Sequence, residues 1–173
     1  MKKTPFKKKS PFKNKGNKLK RTGIKKSVKA KVRKHTKTRR KQPSGYSREV
    51  ARCDIAFSQY IRLKYANEFG EVKCFTCEFV GFWKQSGIEN GHFIGRSVML
   101  LRWLEDNCRP QCIRCNQFMK GNLEVFAAKL GEEIVSELKK ASKQTKRFTI
   151  AEIQNIRNHF EELVLKLKQK IRL

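Results

Sequence analysis

Between Arg48 and about Ala66 the apolar positions fall at three- and four-residue steps: Val50, Cys53, Phe57, Tyr60 and Ile61, continued by the aliphatic stem of Lys64. That spacing is one face of a helix, and Ser47 ahead of it is a residue type that caps a first turn by accepting a backbone N–H. Asn67 and Gly70 close the segment. A longer stripe, Ile153, Ile156, Phe160, Leu163, Val164, Leu167 and Ile171, keeps to one face for about six turns. It opens on TIAE, where Thr149 and Glu152 have the spacing of a capping box. This stripe reads as core or partner surface, not as chemistry. Two shorter helices are predicted between them, one from Asn122 through Leu130 with Gly131 as its stop, the next from Glu132 to Ala141.

The segment from Val72 to Arg102 has a different texture. FVGFW and HFI are short β-type runs, interrupted by Gly81, Gly87, Gly91 and Gly95. The pattern predicts irregular structure containing a β-hairpin. Pro110 then leads into CIRCNQFMKGN, a turn running into a short helix. The fold class is therefore α+β, in one domain over residues 46–173. No internal repeat is visible, and no apolar run approaches the ~20 residues of a membrane span.

Charge changes the picture for the first 45 residues. They hold 20 of the 42 Lys and Arg and none of the 15 Asp and Glu. Their large apolar residues, Phe6, Phe12, Leu19, Ile24, Val28 and Val32, are widely spaced. Such a segment cannot bury enough surface to offset its ordering entropy and reads as a disordered basic arm over residues 1–45. A polycation of this density calls for a polyanion. Nucleic acid leads, because each cation that neutralises a phosphate releases condensed counterions. A membrane surface ranks second; a secretory signal is not expected, since no apolar run follows the positive charges.

Six cysteines in a chain without that leader point to metal ligation ahead of disulfides. Two CxxC pairs stand out, Cys74 with Cys77 and Cys112 with Cys115. Each pair can turn two thiolates toward one ion, and two pairs complete a tetrahedral four-thiolate zinc site. Four protein ligands leave no open position, so this Zn²⁺ is expected to be structural. The 34 residues between Cys77 and Cys112 exceed a simple zinc ribbon, so something folds inside the gap. Cys53 falls on the apolar stripe of the first helix and reads as core; Cys108 has no assigned role.

His92 lies within that gap, in ENGHFIGR. Asn107 follows fifteen residues later, and Asn116 directly follows Cys115. The order of a histidine on a strand, a middle asparagine and an asparagine opening a helix resembles the HNH, or ββα-metal, nucleases. GHF, LRWLEDN, QCIRCNQ, KGN and RFTIAE are together similar to the NinG/Rap family of lambdoid phage recombination endonucleases. The similarity runs from about Phe57 to the C-terminus and is most specific from Cys74 to Asn122; the Lys-rich arm lies outside it.

The resemblance implies a zinc-stabilised ββα-metal core flanked by helices. It implies a metal-dependent endonuclease acting on branched recombination intermediates such as Holliday junctions and D-loops. DNA is the implied partner, with no membrane, and the location is the cytoplasm of a bacterial host; a dimer is neither required nor excluded. In this scheme His92 is the general base and Asn107 orients it. Asn116 offers an amide oxygen to a catalytic divalent ion, Mg²⁺ or Mn²⁺. Many HNH nucleases place an Asp just before the histidine, where this chain has Gly91. Glu89 is the expected substitute ligand, with Asn90 as the alternative. Arg96, Arg102, Arg114 and Lys120 are candidates for gripping phosphates, Arg102 foremost. Two rival readings remain: a non-catalytic zinc-stabilised nucleic-acid binder, and an HNH nuclease that cuts ordinary duplex DNA. Only the set of His92, Asn107 and Asn116 separates the binder from the nucleases.

Overall fold

The computed structural model describes residues 44–85 and 87–171. The expected disordered arm lies outside them, except for Ser44, which caps the first helix, and Gly45, which begins it. Helix α1 spans Gly45–Lys64, and its N-cap is Ser44 rather than Ser47. The Ser44 hydroxyl accepts from the Ser47 N–H at 3.1 Å, so the second serine is the capped residue. Past the end of α1, the Asn67 side-chain oxygen accepts from the N–H groups of Phe69 and Glu71 at 3.0 and 2.9 Å. This polar turn redirects the chain into the small sheets.

Helices α2 (Leu123–Leu130), α3 (Glu132–Ala141) and α4 (Ile150–Lys168) follow the sequence expectation closely. Gly131, at φ 91°, separates α2 from α3 in a backbone region that an L side chain rarely adopts. The capping box at Thr149 and Glu152 is complete in both directions. The apolar stripe of α4 packs on α1. The Phe160 ring meets Phe57 edge-on at a centroid distance of 4.8 Å and Tyr60 at 5.1 Å, with Ile153 and Val164 buried alongside. Full burial of each such side chain contributes on the order of 1.5–3 kcal/mol, which locks the two helices together. Arg157 of α4 reaches the nearly buried Glu49 of α1 at 2.9 Å. A second, smaller core gathers Leu101, Phe126, Leu130 and Leu138, and the rings of Phe75 and Phe93 lie against Phe126.

Four short strands form two antiparallel pairs. Strand β1 (Glu71–Lys73) pairs with β2 (Val80–Phe82) across the first CxxC turn. Strand β3 (Ile88–His92) pairs with β4 (Cys108–Cys112), with Ile88 opposite Cys112 and His92 opposite Cys108. The β1–β2 pair is a hairpin in the segment where the sequence predicts one, whereas β4, which begins at Cys108 and pairs with β3, lies outside that expectation. HFI is not a strand: β3 ends at His92. Pro110 is tolerated in β4 because its backbone faces away from β3. It stands opposite Asn90, and its carbonyl accepts from the Phe75 N–H at 2.8 Å on the other side. After β4 the chain makes a five-residue π-helical turn, Arg114–Phe118.

Candidate functional site

The four CxxC cysteines come together. Their sulfur atoms all lie within 4.8 Å of one another, and Cys77 Sγ and Cys112 Sγ are 3.7 Å apart. A tetrahedron with Zn–S bonds of about 2.3 Å has edges of about 3.8 Å, so the cluster is suited to a metal ion such as zinc. Backbone N–H groups also point at the thiols: Cys112 N donates to Cys74 Sγ at 3.2 Å, and Cys115 N to Cys112 Sγ at 3.4 Å. For Cys74, burial disfavours the thiolate, but the hydrogen bonds from Cys112 and Thr76 outweigh it and lower the pKa to about 6. Cys53 and Cys108 are fully buried in the main core, and burial pushes the Cys53 thiol up to about 12 and Cys108 upward too. They belong to packing, not to the metal cluster.

The cluster joins the first knuckle to the end of β4 and the start of the π-helical turn. Asn116 follows Cys115 in that turn, and Glu89 follows Ile88, whose β partner is Cys112. The two side chains therefore meet. Glu89 accepts from the Asn116 amide at 2.7 Å and from the Gln117 amide at 2.6 Å. They line a cavity of about 570 Å³ between α1 and the free edge of β3. His92, Asn90 and Arg96 line it too, as do Arg62 and Lys84. Of the sequence-predicted residues, His92, Glu89, Asn90, Asn116 and Arg96 thus share one cavity. Arg114 and Lys120 are exposed and lie outside its lining.

The Nε2 of His92 lies 3.0 Å from the Arg102 carbonyl; a carbonyl only accepts, so Nε2 is assigned as the donor, which leaves Nδ1 as the basic nitrogen of the neutral ring. Burial lowers the pKa of His92, the backbone carbonyls of Arg102 and Asn90 oppose the shift, and the nearby Arg96 charge adds to the lowering. The Arg102 carbonyl is itself fixed. Arg102 donates from Nε and Nη2 to the two oxygens of Asp54 at 2.8 and 2.6 Å, and from Nη1 to the Arg96 carbonyl at 2.9 Å. Asp54 also accepts from the Trp103 indole at 2.9 Å. Arg102, the foremost candidate for gripping phosphate, has its guanidinium engaged by Asp54, and that pairing holds the loop whose carbonyl faces His92.

Asn107 is fully buried, and its side chain bonds only to backbone. It accepts from Ile94 N at 2.7 Å and donates to the carbonyls of Ile94 and Leu101 at 2.9 and 3.0 Å. Its own carbonyl accepts from Phe93 N at 2.9 Å. It staples the chain just after His92 without touching the imidazole, so it is a positioning residue.

Gly91 explains the missing aspartate. A Cβ there would sit 2.7 Å from Gln111 Cδ and 2.8 Å from Cγ, with Oε1 closer still. Gln111 is fully buried and cannot swing aside, because its amide donates to Thr76 Oγ1 at 3.0 Å and to the Gly121 carbonyl at 2.8 Å. The position is filled from across the hairpin. Gly91→Ala is expected to destabilise the fold by about 1–3 kcal/mol, the usual effect of overpacking. Urea denaturation would measure it, and an unchanged midpoint would mean that Gln111 yields.

Sequence reasoning missed Asp54, Arg62, Lys84 and Gln117. Asp54 and Arg62 lie on α1 and Lys84 just beyond β2, far in sequence from β3, so only packing brings them to the site. Gln117 had a signal in its place directly after Asn116 in CNQ.

These features define the class: a mixed α and β protein with a four-cysteine cluster that could hold a metal ion and, beside it, a polar cleft holding a histidine, a carboxylate and an amide. The chain belongs to the family of the bacteriophage lambda NinG protein, whose model matches residues 1–170. That match takes in the Lys-rich segment, which the motif resemblance starting near Phe57 leaves out. No curated protein and no solved structure gives a match. No helix among the described residues is long and apolar enough to cross a membrane.

Proposed function

We propose that this protein is a metal-dependent, structure-specific DNA endonuclease acting on branched recombination intermediates, with an HNH-like arrangement of β3, β4 and the π-helical turn. The observation that carries the reading is the convergence of His92, Glu89 and Asn116 on one cavity. A pure nucleic-acid binder has no need of a half-buried histidine beside a carboxylate and an amide. Family membership and the net charge of +27 support a DNA partner in a phage setting.

In this reading His92 takes the proton from the attacking water through Nδ1 and passes from neutral to cationic. The Arg102 carbonyl stabilises the cation through Nε2–H. Glu89 and Asn116 would hold the divalent ion, with one carboxylate and, after rotation of its amide, one amide oxygen as hard ligands. Such an ion supplies charge neutralisation at the phosphate and the leaving oxygen. Gln117, which donates to the other Glu89 oxygen, keeps the carboxylate turned toward the cleft. Arg96, exposed in the lining of the cavity, would meet the scissile strand's phosphate.

The test is a substrate comparison. Purified protein is incubated with equal amounts of linear duplex, fork, D-loop and four-way junction, with Mg²⁺ or with EDTA. Cleavage near the branch, dependent on the divalent ion, is the expected outcome. A branch already presents phosphates from several strands in a bent geometry, whereas a straight duplex must be deformed at a cost. Binding to every substrate with no cleavage under any divalent ion would instead establish a non-catalytic binder. Cutting of linear duplex at one sequence, indifferent to branches, would establish an ordinary HNH nuclease.

A further inference from the structure

The turn that carries Asn116 also carries an aromatic ring with nothing packed over it. Phe118 is 79% exposed, and Met119 and Leu123 next to it are each 45% exposed. A single exposed apolar side chain is ordinary, but this one is unusual in three respects. It lies two residues from Asn116 and directly after Gln117, both in the lining of the polar cleft. It is flanked by two exposed cations, Arg114 and Lys120. The backbone just after it is also held in an uncommon conformation.

Three consecutive residues after it, Lys120, Gly121 and Asn122, have φ of 50°, 88° and 46°. Two of the three are not glycine, and the left-handed region is sparsely adopted by residues with a Cβ. The turn is held there from several sides. Gly121 N donates to the carbonyls of Cys115 and Asn116, at 2.9 and 3.0 Å; Met119 N donates to Arg114 O and Asn122 N to Met119 O, both at 2.9 Å. From beneath, the buried Gln111 amide grips the Gly121 carbonyl, and Cys115 ties the turn to the metal cluster. Strain sustained this way at a candidate site fixes a geometry for use. What it fixes here is an aromatic face held out to solvent beside the cleft.

We propose that Phe118 is a stacking platform for an unpaired base of the DNA substrate, set beside the cleft by the Arg114–Asn122 turn with Arg114 and Lys120 on the flanking phosphates. This deepens the nuclease reading and rests on it for the nature of the substrate. Every base has a π-face, so stacking reads the unpaired state and not the sequence, and the strand at a branch point offers such bases. A paired, stacked duplex offers none. Phe118 thereby supplies a preference for branched over linear DNA that no base-reading helix is needed to explain.

The experiment measures binding in EDTA, so that it does not depend on cleavage. The full chain and its variants are titrated against a fork with unpaired bases at the branch and against a linear duplex of equal length. Phe118→Ala is expected to weaken fork binding about tenfold and leave linear duplex unchanged, the scale of losing one stacked base. Phe118→Trp should restore fork binding. Leu165→Ala, at a 62% exposed apolar position on α4, should change neither. Fork affinity of Phe118→Ala equal to wild type overturns the proposal, as does an equal loss on both DNAs. A fork-specific loss in Phe118→Ala, together with wild-type protein that cuts nothing in Mg²⁺, supports the platform and rejects the nuclease. Wild-type protein that binds no DNA overturns both.

Discussion

Replacing His92 with alanine is expected to lower DNA cleavage by at least about 10²-fold, the lower end of what a positioned general base supplies. Metal content of the cysteine cluster and DNA binding should be retained, because His92 belongs to neither the thiolate cluster nor the exposed cations. The imidazole also donates to the Arg102 carbonyl, so alanine loosens that loop as well. His92→Gln separates the two effects: a glutamine amide can donate to the carbonyl but has no basic nitrogen. Equal loss in both variants marks the chemistry. Full activity in His92→Gln would leave His92 as a core histidine that only props the loop.

The pH profile gives an independent check. Burial lowers the His92 pKa below its ordinary 6.5, so the neutral, basic form prevails at neutral pH. Cleavage should rise with pH through that depressed value and be level above about 6.5. The same shift affects stability. The unfolded chain binds the His92 proton more readily, so this contribution is fully present above about 6.5 and is lost as pH falls below it. An acidic limb of the rate profile above 6.5 would contradict the neutral-base assignment.

Substituting serine for Cys74 or Cys112 is expected to release the metal and unfold the domain. Binding of structural zinc is worth about 10–16 kcal/mol in small zinc motifs, comparable to or larger than the whole 5–15 kcal/mol stability of a typical domain. The arrangement here makes the dependence direct. Cys74, Cys112 and Cys115 are themselves buried members of the main core. Cys115 also anchors the turn that presents Asn116 and Phe118. Loss of metal should therefore abolish cleavage along with native circular dichroism. Stoichiometric zinc and an unchanged spectrum in Cys74→Ser would show that the cluster is not the metal site. A redox dithiol would instead leave zinc absent from the wild-type protein.

The helices were legible because the signals that make them are local. The capping box at Thr149, the stop at Gly131 and the 3.6-residue stripe on α4 each act within a turn or two, and tertiary packing did not override them. The cysteine pairs were legible for the same reason, since a CxxC turn aims its two sulfurs whatever surrounds it. Charge alone spoke for a polyanionic partner. His92, Asn107 and Asn116 could be named, with roles taken from a resemblance.

Their arrangement could not be read. Strand β4 could not be read, since Pro110 showed only as the residue leading into the CIRCNQFMKGN turn, and contact with Phe75 on its far side shows why a strand admits it. Arg102 looked like a phosphate grip because Asp54, which claims it, lies 48 residues away on another element. Gly91 looked like a lost metal ligand, whereas the fold fills that position with Gln111 from the facing strand. Sequence determines which short segments turn, cap and bind metal, because those choices rest on neighbours in the chain. Which cation is free and which is paired, and which side chain occupies the space beside a glycine, depends on contacts between distant segments, and these exist only once the core around α1, α4 and the four cysteines has closed.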